Sequence, residues 1–87
     1  MNPPVLLEPT DSNSPLVVAL VEDDRLLREE IEVHLTAHGF QVHAANSAMG
    51  LDDLTPRIAF DLFLIDLNLP GENGLSLCRR VRASRPD

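Results

Sequence analysis

The chain has 87 residues, enough for one domain and too few for two. Its seven basic residues, all arginine, face fourteen acidic ones, a formal charge of −7 that repels phosphate backbones and anionic lipid, so the segment by itself binds neither nucleic acid nor membrane. A single cysteine, Cys78, excludes an internal disulfide and suits a reducing cytosol; apolar runs are too short for a membrane span or a signal peptide, which predicts a cytoplasmic domain.

Residues 1–15 hold Pro3, Pro4, Pro9 and Pro15 among polar residues, with Val5, Leu6 and Leu7 as the apolar interruption. Too little can be buried there to offset ordering, so the stretch reads as a flexible Pro-rich tail, with the domain over 16–87. Leu16 to Val21 is a continuous apolar run, the mark of a strand buried on both faces, and it stops at Glu22-Asp23-Asp24. From Asp24 the period changes. Leu27, Ile31 and Leu35 fall on one helical face, with acidic residues at the start and Gly39 as a left-handed stop.

Residues 40–44 alternate apolar and polar, a wetter strand. Asn46 or Ser47 can cap a short helix reaching Leu54, before Pro56. Asp61 to Asp66 encloses a second continuous apolar strand, and Leu67 to Asn73 is a loop turning at Pro70 and Gly71. Gly74 opens a third helix with Leu75, Cys78 and Val81 on one stripe. Arg79, Arg80, Arg82 and Arg85 lie near its C-terminal half, where cations suit the dipole.

The order β-α-β-α-β-α predicts an α/β fold with a parallel sheet. The doubly apolar first and third strands belong at the centre and the alternating second at an edge, which gives the spatial order 2-1-3. Right-handed crossovers put the first two helices on opposite faces. The chain then reverses direction between strands 1 and 3, where open α/β sheets bind ligands. Glu22, Asp23 and Asp66 converge on that crevice.

Crowded carboxylates raise one another's pKa, and a divalent cation relieves the repulsion. Few hard oxygen ligands with open positions suit Mg²⁺ better than Ca²⁺. Acids at strand ends also serve as helix caps, which accounts for Asp24 but poorly for Asp66, since a loop follows it.

With Val21-Glu22-Asp23-Asp24 after strand 1 and the run from Leu64-Ile65-Asp66 to Asn73-Gly74 after strand 3, residues 16–87 resemble the N-terminal part of response-regulator receiver domains. These are the phosphoacceptor modules of two-component signalling. The resemblance implies a flavodoxin-like doubly wound fold with Asp66 as the phosphorylated residue. It implies Mg²⁺ held by Glu22, Asp23, Asp66 and the backbone carbonyl of Asn68, with Pro70 and Gly74 shaping the loop. A carboxylate can attack phosphorus, and transfer depends mainly on positioning and charge neutralisation. The implied donor is a histidine kinase or histidine phosphotransfer protein. The implied output is a conformational change passed to another domain or partner, a transcriptional regulator among them. Such a domain is a phosphoacceptor, not a turnover enzyme.

The match stops after the third helix. Receivers carry a hydroxyl residue at the end of strand 4 and a lysine at the end of strand 5, and this chain has no lysine. The fold is therefore expected to be incomplete at its C-terminus, with strand 3 open to self-association. An alternative is a phosphorylation-independent interaction module on a truncated receiver fold. A Mg²⁺-dependent phosphohydrolase would carry a second acid two residues after its nucleophile, where Asn68 stands.

Other residues offer less. His34 and His38, with Glu30 a turn earlier, have a zinc-compatible spacing that nothing completes, so they read as surface imidazoles. His43 reads as a half-exposed strand residue, Cys78 as a small core residue and the arginine cluster as a solvated helix end. A phosphate-binding P-loop would need a lysine.

Overall fold

The computed structural model describes residues 15–85. All of the expected tail except Pro15 lies outside the described residues. The elements are β1 (Val17–Val21), α1 (Arg25–Ala37), β2 (Gln41–Ala45), α2 (Ala48–Leu54), β3 (Leu62–Ile65) and α3 (Gly74–Ser84). They form a parallel sheet in the order β2-β1-β3, as the burial pattern of the strands implied. Val18 of β1 pairs with Val42 on one side and Leu62 on the other; Val21 pairs with Ala45 and Ile65.

Alternation along β1 assigns the two faces. Ala19 and Val21 point into the main core with Leu51 of α2, Leu77 of α3, Phe60 and Leu69; Phe63 and Ile65 pack at its margin. Val18 and Leu20 are buried on the opposite face, where α1 packs against β1 and β2. α1 packs chiefly over β1 and β2 and leaves β3 largely uncovered. Leu62 and Leu64, on that same face, remain 48% and 46% exposed. In α1 itself Ile31 and Leu35 are half-buried, and Leu27 stays 48% exposed.

Each helix start is set by a side-chain cap, which satisfies a backbone N–H that has no partner inside the helix. Asp24 accepts from the Leu27 N–H (3.1 Å), Ser47 from the Gly50 N–H (3.1 Å) and Asn73 from the Ser76 N–H (2.8 Å). Of the two candidates for α2, Ser47 is the cap. The acids before α1 cap and precede the helix; its first turn contains none. α1 stops at Gly39, whose φ of +94° is open to glycine and strained for other residues. β3 starts where Asp61 grips β1, donating its N–H to the Val17 carbonyl (2.8 Å) and accepting the Val17 N–H on Oδ2 (2.8 Å).

The third helix turns differently from the expected stripe. Leu77 is fully buried, with Cys78 and Val81 half-buried beside it, whereas Leu75 is 51% exposed. Helix 3 enters the core through Gly74 and Leu77, and that rotation swings Leu75 to its solvent flank. Among the described residues no helix is long and apolar enough to cross a membrane.

Candidate functional site

Strand register builds the site. Because Val21 pairs with Ile65, the next residues of the two strands, Glu22 and Asp66, leave the sheet side by side. The Glu22 N–H donates to the Ala45 carbonyl (3.0 Å) and the Asp66 N–H to the Val21 carbonyl (2.9 Å), so both backbones are held at the strand ends. Glu22, Asp23 and Asp66 each place a carboxylate oxygen within 4.8 Å of the other two. Among the described residues this is the one group of three or more acidic, histidine or cysteine side chains close enough to share a metal ion.

The three differ in environment. Glu22 is 7% exposed, Asp66 is half-buried and Asp23 faces solvent. Burial pushes the Glu22 carboxyl above its usual range; Asp66 and Asp23 add to the rise, and the Asp24 N–H on Oε2 (3.1 Å) opposes it. Three hard oxygen donors, one buried, one half-buried and one facing water, fit a divalent cation that keeps positions free for water or phosphate.

The loop after β3 turns at once, with the Asn68 N–H donating to Asp66 Oδ1 (3.0 Å). Leu69 anchors the loop in the core, and the Gly74 N–H donates to the Leu67 carbonyl (3.1 Å). A Cβ on Gly74 would lie 2.6 Å from the Asp66 carbonyl carbon and 2.5 Å from Leu67 Cα. Only glycine lets the start of α3 approach this peptide so closely.

Two arginines have partners that the sequence did not reveal. Arg28 donates through Nη1 to the Glu22 carbonyl (2.9 Å), placing a cation on the backbone of the acidic pair. Its position one turn into α1 was the available signal. Arg80 is not a free helix-end cation: it pairs with Asp52 of α2 and Glu72 of the loop, each at 2.9 Å. Arg85, also assigned to the solvated end, lies over the Phe63 ring at 5.2 Å. Away from the site, His38 Nδ1 is bonded to the His34 carbonyl (2.9 Å), and the half-buried His43 meets Phe60 edge-on. Cys78 lies at the core's margin, only half-buried.

Residues 18–87 match the response regulator receiver domain family. The chain is 45% identical over 67 residues to the virulence transcriptional regulatory protein PhoP of Salmonella typhimurium (strain 14028s), covering 77% of this chain and 30% of that protein. Among solved structures, the non-phosphorylated HemR receiver domain from Leptospira biflexa superposes with a TM-score of 0.75 at 32% identity, over 83% of this chain and 58% of that one. The response regulator TrrA from Thermotoga maritima, solved in complex with Mg²⁺-BeF, shares the fold with a TM-score of 0.77 at 21% identity, over 82% of this chain and 62% of that one. The chain thus spans under a third of the curated relative and about three-fifths of the solved receivers.

Proposed function

The chain belongs to the response regulator receiver domain family, and from that premise we propose that it accepts a phosphoryl group on Asp66 from a phosphohistidine of a partner kinase or phosphotransfer protein. The observation that carries this reading is the meeting of Glu22, Asp23 and Asp66 within 4.8 Å at the switch point of the sheet. Asp66 Oδ1 is held by the Asn68 N–H, which leaves the second carboxylate oxygen to attack phosphorus. A P–O bond forms as the P–N bond to the donor imidazole breaks, and the imidazole leaves carrying the electron pair. The product is an acyl phosphate on Asp66. The chain acts as acceptor and signals by a change of shape, not by turnover.

Glu22, Asp23, Asp66 and the Asn68 carbonyl would hold Mg²⁺, which when bound supplies the positive charge that offsets three carboxylates and an incoming phosphoryl group. Glu22 needs that charge most, because it is the buried member of the three. Similarity to a protein named as a transcriptional regulator supports an output in gene control, with a cytoplasmic setting as part of the same reading.

Intact-mass spectrometry after treatment with a small acyl-phosphate donor and Mg²⁺ tests the assignment. A single added phosphoryl group is expected, absent from Asp66→Asn. The yield should be low, because the chain has no lysine to stabilise the transferred charge. Labelling that persists in Asp66→Asn would place the acceptor elsewhere.

A further inference from the structure

We propose that Arg80, which touches none of the three clustered carboxylates, is a positioning residue that holds the β3–α3 loop in the shape the acidic site requires. The inference rests on the receiver reading for its consequence and on geometry for itself. Arg80 uses its guanidinium twice as a fork. Nε and Nη2 donate to the Glu72 carboxylate at 3.2 and 2.9 Å; Nη1 and Nη2 donate to the Asp52 carboxylate at 2.9 and 3.2 Å. The Ser76 hydroxyl adds a further bond to Glu72 Oε2 at 2.9 Å. The hydrogen bonds from Arg80 and Ser76 hold the Glu72 carboxyl below its usual range.

Isolated surface ion pairs contribute little, but paired forks on a planar guanidinium are the geometry in which such contacts count. Here they add a polar tie among three segments that also meet in the core through Leu51, Leu69 and Leu77. Asp52 belongs to α2, Glu72 to the loop that leaves Asp66, and Arg80 to α3. The Ala45 carbonyl that fixes Glu22 lies at the end of β2, just before α2 begins. A closed ring results, running from Glu22 through β2 and α2 to Arg80, then back along the loop to Asp66. Cutting it at Arg80 leaves the loop secured by Leu69 and by its local bonds to the start of α3, among them Ser76 on Glu72 and the Gly74 N–H on Leu67, and removes its tie to α2. The Asn68 N–H on Asp66 is the contact most exposed to that loosening, since it lies in the loop beside the reacting carboxylate.

The test follows backbone amide exchange by NMR on the full metal-free chain, then Mg²⁺ affinity by titration. Arg80→Lys keeps the charge and loses both forks, and Arg80→Ala loses both charge and forks. Arg79→Ala removes the same charge one residue away. Arg80→Lys and Arg80→Ala should speed exchange across residues 67–73 by about threefold to tenfold, the worth of a small exposed ion-pair network. Mg²⁺ affinity should fall by a similar factor, with β1 amides unchanged and Arg79→Ala close to the parent. If Arg80→Ala fails to fold, Glu72→Gln and Asp52→Asn each cut one fork and should give smaller effects of the same sign. Unchanged loop exchange in Arg80→Lys and Arg80→Ala, or equal effects from Arg79→Ala, would overturn the proposal. A parent chain that takes no Mg²⁺ would count against the metal reading, and exchange would still decide the clamp.

Discussion

Val21 and Ile65 are backbone partners across the parallel sheet, and that one match puts Glu22 beside Asp66. A slip of one residue would turn the side chains of β3 to the opposite face, since their period is two. It would also carry Asp66 out of line with Glu22. The buried Val18, Ala19, Leu20 and Val21 resist such a slip, so the core packing that fixes the strands also fixes the spacing of the acids.

Mg²⁺ added to the chain should perturb the NMR signals of residues 22–24 and 66–69 before any others. The Asp23→Asn, Asp66→Asn double variant should lose that response, because it removes two of the three converging charges. An undiminished response in the double variant would place the ion elsewhere.

Glu22→Gln should stabilise the metal-free protein at neutral pH while weakening its hold on Mg²⁺. The Glu22 carboxyl is raised in the folded state, first by burial and then by Asp66 and Asp23. The native state therefore binds its proton more tightly than the unfolded chain does. Its contribution is intact below the unfolded pKa and is lost as pH rises through the folded one. Urea midpoints of parent and variant should coincide at acid pH and separate towards neutrality, and saturating Mg²⁺ should restore the parent. Midpoints that keep a constant offset across pH would contradict this account.

Gly74→Ala should cost about 1–3 kcal/mol, the usual range for forcing atoms into packed space. The added methyl would press on the backbone of Asp66 and Leu67, so the acidic site should loosen as stability falls. Urea unfolding and the Mg²⁺ titration read the two effects in parallel. A variant with parent-like values in both would mean that α3 can back away without penalty.

The 87-residue chain should self-associate at micromolar concentration through β3. Leu62 and Leu64 are about half exposed on one face, and among the described residues the strand pairs only with β1. Light scattering after gel filtration should show more than one chain per particle, and Leu64→Lys should reduce it. A sharp-melting monomer would contradict the expectation.

Much of this molecule is visible in its sequence because local signals and topology agree. The continuous run of β1, the alternation of residues 40–44 and the caps at Asp24 and Ser47 are short-range features, and they fixed both elements and order. Glu22, Asp23 and Asp66 follow from strand ends alone. The rotation of α3 does not: Leu75 and Leu77 are equally apolar, and only packing against Leu51 and Val21 chooses between them. The pairing of Arg80 with Asp52 spans 28 residues and depends on where two helices come to rest, so no local pattern announces it. The exposed leucines of β3 show the converse. A doubly apolar strand records that both faces can be covered, and α1 packs chiefly on β1 and β2.

The contact between Gly74 and the Asp66–Leu67 peptide makes α3 a lever with its fulcrum at the main chain of Asp66. Its first turn is pressed against main-chain atoms, so the helix cannot slide towards the strand ends. Leu77 in the core and Arg80 on Asp52 confine what remains to a small tilt. Eleven residues of helix give an arm of about 16 Å, and a few degrees of rotation at Gly74 move the far end by about an ångström. Arg82 rides on that far end and Arg85 follows it over the Phe63 ring, so a small displacement beside Asp66 would reach the outside of the molecule at two positive charges.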